Sequence, residues 1–479
     1  MNVLFITSEA APFAKTGGLG DVSYALPQAL AQVPGVQVRL VLPYYRCIRD
    51  NPAWQPELEQ TFFVPLAWRR LYAGALRVTL GQVEVYFIDN EYYFDRPGLY
   101  GDYDDGERFA YFCRAVLELA NRWSDWTPDI LHCNDWQSGL VPVYQQAFFA
   151  YSPLRQARTL LTVHNAGYQG QMPPDFRQEV LGLNPCWDDT LTFDGCINLL
   201  KAGLVTADRA NTVSPTYASE LKTAWYARGL ENIFRSLGTR FSGIVNGIDQ
   251  TQYDPGHDPA LHTPFTRSSL GKKAENKSFL QQVLGLPVEK NRPLVAIVSR
   301  LVEHKGIDLI QAVLPQILEM GPQLVVLGTG DDRYQTLFCQ AQERWPGQVR
   351  ARIAFDPGLA SQIYAGADLF LMPSKTEPCG LAQLIAMRYG AIPLVRETGG
   401  LRDTVPAWDP VSDTGFGFTF GDYNAHELLY AMGRAINCYQ NRDLWKKLVR
   451  RAMAADNSWS KSVRAYQALY QSMTGGKSA

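Results

Sequence analysis

The sequence predicts an α/β protein made of two doubly wound domains. Three observations carry that prediction. The chain opens as strand, glycine-rich turn, helix and strand. A second alternation, of five apolar strands and helix-length stretches, starts near residue 294. Both alternations place glycines in loops that follow strands, where open α/β sheets bind their ligands.

In the first alternation, residues 2–7 read as a strand. Leu19, Val22, Leu26, Ala29 and Leu30 recur at helical spacing, and residues 36–42 read as the next strand. Such a strand–helix–strand unit implies a parallel sheet. Residues 61–88 differ: Phe62, Val64, Leu76, Val78, Val83 and Val85 alternate with polar residues, which predicts a hairpin insertion. Further strands are expected at 130–131, 159–163, 210–213 and 243–245. Residues 249–265, rich in Pro, Asp, Gly and His, read as a linker. Beyond them, strands are expected at 294–298, 323–327, 349–354, 369–372 and 392–395, with Ile307, Ile310, Leu314 and Ile317 marking one intervening helix. Residues 459–473 read as a final helix. The expected domains are 1–248 and 249–458, followed by a C-terminal segment 459–479. Two such domains facing each other would form a deep cleft, the default place for an active site.

Bulk properties narrow the function. The chain has 479 residues, too many for one ordinary core. Its net charge of −2 offers no basic excess for nucleic acid or an anionic membrane, so neither is an expected partner. The eight cysteines form no C-x-x-C pair and no cluster of zinc spacing, so no metal site is expected. They read as thiols of a reducing compartment. The apolar start is interrupted at Ser8 and Glu9, unlike a signal peptide, and no apolar run suits a membrane span. A cytoplasmic location is expected.

Four clusters could carry chemistry, each between a strand and a helix. Lys15-Thr16-Gly17-Gly18-Leu19-Gly20-Asp21 combines a cation with glycines that let a backbone approach an anion. Ser299-Arg300-Leu301 with Lys305-Gly306 supplies two cations suited to a diphosphate, or else a solvated charged loop. Ser374 to Leu381 places the amides of Cys379, Gly380 and Leu381 in a first helical turn, with Glu377 beside them. A carboxylate there suits sugar hydroxyls, or is an acid favoured by the helix dipole. Glu397-Thr398-Gly399-Gly400-Leu401 is the fourth. Single residues at other strand ends are His132, Asp135, His164 and Asn246. HExxH and G-x-S-x-G are absent, as is an Asp-x-Asp between apolar strands.

Taken in order, the motifs Lys15-Thr16-Gly17-Gly18-Leu19-Gly20-Asp21-Val22, Thr212 to Tyr217, Gly243 to Asp249, Ser299-Arg300-Leu301, Lys305-Gly306 and residues 363–400 resemble the bacterial glycogen synthases and plant starch synthases, glycosyltransferase family 5. The likeness runs from the first strand to about residue 460. It implies a GT-B architecture, two Rossmann-like domains across a cleft, with the C-terminal helix crossing back to the first domain. It implies transfer of glucose from ADP-glucose to an α-1,4-glucan, with retention of configuration, release of ADP, and no metal or cofactor. By position, Lys15 and the Gly18 amide would contact donor phosphates. Arg300 and Lys305 would neutralise the leaving diphosphate, and the amides of Cys379, Gly380 and Leu381 would complete that cradle. Glu377 and His164 would hold the glucosyl ring, and Asp21 and Asn246 would line the donor pocket, with Thr398 in the fourth cluster. Asp135 matches the family's acidic position. Phe355 stands where the family usually has a Tyr that stacks on adenine, so stacking would survive without the hydroxyl. Tyr92 and Tyr93 match a region linked to glucan binding, or are core. His132-Cys133-Asn134-Asp135 departs from the family's His-rich stretch, and Ile385 replaces the second Glu of related families. A UDP-sugar donor, a small acceptor, or a silent glucan-binding protein are the alternatives; Lys15, Arg300, Lys305 and Glu377 weigh against the last. The oligomeric state is not encoded legibly.

Overall fold

The computed structural model describes residues 1–475. The chain divides into two compact units. One comprises Met1–Ile244 together with the C-terminal helix Trp459–Met473, and the other Val245–Ser458.

The first unit is built on a nine-stranded sheet among the described residues. Its strands are β1 (Asn2–Ile6), β2 (Gln37–Pro43), β3 (Glu57–Leu66), β4 (Arg69–Leu80), β5 (Val83–Asp89), β6 (Ile130–Asn134) and β7 (Arg158–Val163). A small antiparallel sheet of β8 (Gln171–Met172), β9 (Thr192–Phe193) and β10 (Cys196–Asn198) precedes the last two, β11 (Arg209–Thr212) and β12 (Phe241–Gly243). The main order is β12-β11-β7-β6-β1-β2-β5-β4-β3. All pairs from β12 to β5 are parallel, and β4 and β3 are antiparallel. The expected hairpin at 61–88 is therefore the edge of this sheet rather than an insertion outside it. β5 lies parallel to β2, with Leu40 opposite Val85. Its solvent-facing edge explains the alternation: Phe62, Val64 and Leu66 are buried while Phe63 and Pro65 are exposed. By contrast Val3–Ile6 in β1 are all buried, as in a strand covered on both faces.

The helix Trp459–Met473 buries Trp459, Val463, Tyr466, Tyr470 and Met473, spaced four and three apart along one stripe. Its polar tips enter a buried chain of hydrogen bonds. Thr162 donates its hydroxyl to Asn211 Oδ1 at 2.6 Å, so its oxygen must accept from His132 Nε2, 2.7 Å away. His132 Nδ1 is then the acceptor for the Tyr470 hydroxyl at 2.7 Å, and Asn211 Nδ2 donates to the Tyr466 oxygen at 3.2 Å. Burial lowers the His132 pKa to about 3, so the ring is neutral, as this pattern requires.

The second unit has six parallel strands: β13 (Leu294–Val298), β14 (Gln323–Leu327), β15 (Val349–Arg352), β16 (Leu369–Met372), β17 (Ile392–Arg396) and β18 (Phe418–Phe420). Their order is β15-β14-β13-β16-β17-β18. Residues 249–265 are packed against this unit rather than forming a free linker. Leu261 and Phe265 are buried, the Tyr389 hydroxyl donates to Asp258 at 2.6 Å, and Arg388 meets Asp254 at 3.2 Å. Turn-forming composition concealed that anchoring.

Both large sheets have a point at which the chain crosses to the other side of their first strand. The chain leaves β13 outward through β14 and β15, then returns to β16. In the first unit the reversal falls between β1 and β6. Loops at such switch points diverge and leave a crevice at the strands' carboxyl ends.

Candidate functional site

In the first unit, the loop after β1 is folded around a carboxylate that sequence patterns did not single out. Glu9 is buried and accepts from Thr16 N (2.6 Å), Thr16 Oγ1 (3.0 Å), Gly17 N (3.3 Å) and the Tyr100 hydroxyl (3.0 Å). Those bonds commit the Thr16 and Gly17 amides inward. The Gly18 amide opens the helix Gly18–Ala31 and has no acceptor among the described residues. Lys15 Nζ pairs with Asp21 Oδ1 at 2.6 Å, both side chains partly exposed.

At the end of β6 the chain kinks. Asp135 sits at φ 56° and ψ −173°, a region that is costly for a residue with a Cβ. Its carboxylate accepts the backbone N–H of His164 at 2.7 Å and of Asn165 at 3.3 Å. Burial pushes the Asp135 carboxyl up to about 7, against the lowering effect of these two amides. His164 follows β7. Its Nε2 lies 2.9 Å from Asn134 Oδ1, and burial holds its pKa down to about 3.

Tyr92 and Tyr93 part company. Tyr92 is exposed, but Tyr93 is 1% exposed, lies against Tyr111, and donates to Glu107 Oε1 at 2.5 Å. Tyr93 thus has no free face for a glucan, which corrects its place among the expected acceptor residues. The two are consecutive residues of a one-turn helix, Glu91–Phe94, so they point in different directions.

In the second unit, the loops after β13, β16 and β17 interlock backbone to backbone. A Cβ on Gly306 (φ 74°) would lie 2.0 Å from the Pro373 carbonyl oxygen, and one on Gly399 (φ 44°) would lie 2.1 Å from that of Glu377. Lys375 N donates to His304 O at 2.9 Å, and Gly400 N to Glu377 O at 3.1 Å. Glycine is required here by loop-on-loop packing rather than by a ligand. The loop after β14 joins them: Leu301 N donates to Thr329 O at 2.8 Å. The Gly328-Thr329-Gly330 run is the sequence signal for that loop.

This interlock brings Lys305 to Glu377. Lys305 Nζ and Ser374 Oγ both donate to Glu377 Oε2, at 2.6 and 3.0 Å. Glu377 Oε1 has no partner among the described residues. The side chains are 18% and 9% exposed, so the pair is shielded yet open at one edge. Arg300 is exposed, and its guanidinium makes no hydrogen bond or ion pair among the described residues. The helix after this loop begins at Ala382, so Cys379, Gly380 and Leu381 lie in the turn before it, not in its first turn. Gly380 there has φ 74°, which ends the expected helical run. None of these three amides reaches an acceptor among the described residues. Burial raises the pKa of the Cys379 thiol to about 12. Asn246 is buried with Oδ1 unpartnered, Thr398 is buried, and Phe355 beyond β15 is exposed.

Each Rossmann-like unit thus places charged groups and unpaired amides at the carboxyl ends of parallel strands, where doubly wound folds bind their ligands. The starch synthase catalytic domain family matches residues 2–236, and the glycosyl transferases group 1 family matches residues 282–452. Glycogen synthase of Clostridium novyi (strain NT) is 45% identical over 476 residues, covering 99% of each chain. Glycogen synthase of Clostridium acetobutylicum is 46% identical over 477 residues, covering 99% of this chain and 100% of the other. The catalytic domain of starch synthase IV from Arabidopsis thaliana, solved bound to ADP and acarbose, superposes with a TM-score of 0.90 at 35% identity, covering 99% of both chains. The chain belongs to the glycogen and starch synthase family of retaining glycosyltransferases.

Proposed function

We propose that this protein transfers glucose from ADP-glucose to the non-reducing end of an α-1,4-glucan, with retention and without a metal ion or cofactor. The observation that carries the reading is the Glu377 carboxylate, fixed through Oε2 by Lys305 and Ser374 and left with Oε1 unpaired beside the amides of Cys379 to Leu381. A carboxylate so held accepts from sugar hydroxyls, while unpaired amides and cations favour phosphate oxygens. In the step, the bond from the anomeric carbon to the diphosphate oxygen breaks and a bond to the acceptor's 4-hydroxyl oxygen forms. The hydroxyl proton passes to the departing phosphate. Arg300 and Lys305 offset the charge that develops there, a role worth most where water is excluded. Lys15 and the Gly18 amide would likewise face donor phosphates. Asp21, Asn246 and Thr398 would line the donor pocket, and Phe355 would stack on the base. His164 would hold the glucosyl ring, and Tyr92 remains the exposed aromatic for a glucan. The donor's bound and leaving forms, ADP-glucose and ADP, would be drawn from the cytoplasm, where we place the protein.

The test is to incubate the protein with maltoheptaose and ADP-glucose in EDTA and resolve the products by length. A ladder of longer chains, shortened again by an exo-acting α-1,4-glucan hydrolase, is expected. Release of free glucose alone would overturn the reading.

A further inference from the structure

Polar residues on β6 and β7 form successive rungs. His132 lies opposite Leu160 in the register and reaches Thr162; Asn134 lies opposite Thr162 and reaches His164. The upper rung has only one consistent set of hydrogens. Asn134 Nδ2 donates to the carbonyl oxygens of Ile6 (3.0 Å) and His132 (3.4 Å). Flipping the amide would set its oxygen against two carbonyl oxygens, so Oδ1 must be the atom that faces His164. An oxygen there can only accept, which places a hydrogen on His164 Nε2. For a neutral ring, Nδ1 is then a bare lone pair, and it has no partner among the described residues.

Asp135 completes the grip. Along an extended strand, neighbouring side chains point to opposite faces. The positive φ at Asp135 breaks that alternation, so Asn134 and Asp135 both turn to His164. One accepts from its ring and the other from its backbone N–H. The kink itself is fixed from two sides: Asp135 N donates to Thr162 O at 2.9 Å, and Ser138 Oγ, which accepts Asn134 N at 2.5 Å, donates to Asn134 O at 2.8 Å.

We infer that Asn134 and Asp135 are positioning residues that lock His164 as the Nε2–H tautomer, presenting Nδ1 as an obligate acceptor for one hydroxyl of the donor sugar. The role assigned to His164 rests on the proposed function; the tautomer does not. A site that can only accept selects a sugar with a hydrogen-bond-donating hydroxyl at that place. It rejects the deoxy and the deoxyfluoro sugar alike, because fluorine has no hydrogen to give.

The experiment joins a spectroscopic and a kinetic arm. Nitrogen-15 spectra of protein labelled at histidine, with His164 assigned through His164→Gln, read the tautomer directly. Wild type is expected to show a protonated Nε2 and a bare Nδ1. Asn134→Ala, and as a milder change Asn134→Ser, should show a mixture of tautomers. In the kinetic arm, deoxy and deoxyfluoro donors are run at each sugar position. One position should lose roughly 10- to 100-fold in kcat/KM with both analogues in wild type, and much less in His164→Gln. A protonated Nδ1 in wild type would overturn the assignment whether or not the protein makes glucan. An unaltered tautomer in Asn134→Ser would overturn the role of Asn134. Equal analogue discrimination in wild type and His164→Gln, with the tautomer as expected, would overturn the sugar contact alone.

Discussion

Replacing Glu377 by Gln keeps the size and the oxygen that Ser374 and Lys305 approach, and removes the charge. Lys305 Nζ lies 2.6 Å from that oxygen, so the bond lost is a charge-assisted one between shielded groups. Such bonds contribute about 1.5–3 kcal/mol, and the same carboxylate's free oxygen would add a comparable contact to the donor sugar. A combined loss of about 3–4 kcal/mol in the transition state corresponds to a roughly 100- to 1,000-fold fall in kcat/KM. The fold should suffer less. With Lys305 18% exposed its ammonium can turn to water, so about 1–2 kcal/mol of stability is at risk, a few degrees in Tm for a unit of this size. The assay is initial-rate transfer to glycogen for Glu377→Gln, Lys305→Met and the double variant, with Tm measured alongside. Because the two residues share one bond, the double variant should lose less than the product of the single losses. A Glu377→Gln enzyme keeping more than about a third of wild-type kcat/KM, or strictly multiplicative losses, would refute the reasoning.

Three further outcomes follow from the geometry. Tyr470→Phe leaves His132 Nδ1 buried without its donor, so stability to urea should fall by about 1–3 kcal/mol, and an unchanged midpoint would count against the buried chain of bonds. His132 has its pKa lowered to about 3 in the fold, so below pH 6.5 the unfolded chain takes up a proton that the fold excludes. Its stability is therefore complete above pH 6.5 and is lost toward pH 3, at up to about 1.4 kcal/mol per pH unit, a slope that denaturation of His132→Gln at pH 7 and pH 5 should show flattened. Gly306→Ala forces a Cβ 2.0 Å from the Pro373 carbonyl oxygen at a positive φ, and should cost roughly 3 kcal/mol or more together with most of the activity, read by Tm and by transfer rate.

The fold was legible where strands are buried on both faces. The runs at 294–298, 323–327 and 369–372 coincide with β13, β14 and β16 because nothing but apolar residues can occupy such positions. Legibility failed at the rims. β18 is three residues long and has no period to read, and β12 ends at Gly243, where the sequence reading began it, because Ile244 and Val245 continue an apolar run beyond the sheet. The glycine clusters fall in loops that follow strands, and in the second unit Gly306, Gly399 and Gly400 are explained by the packing of loop on loop, which a sequence cannot distinguish from a cradle for phosphate. Glu9 and Asn134 carry no role in the sequence pattern, and Ser374 marks only the start of a cluster, for one reason. Each is a short-range polar residue with no motif of its own, and its importance appears only once neighbouring strands bring it to Thr16, Glu377 and His164. Asp135 was picked out as an acid, while its grip on two backbone amides depends on a kink that no residue pattern announces.

The most direct test of the central claim is transfer of radiolabelled glucose onto glycogen, run side by side from ADP-glucose and from UDP-glucose with EDTA in excess. The account predicts strong incorporation from ADP-glucose, unaffected by EDTA and cut roughly 100-fold or more in Glu377→Gln. Incorporation from UDP-glucose alone, from neither donor, or only when a divalent metal is restored would contradict it.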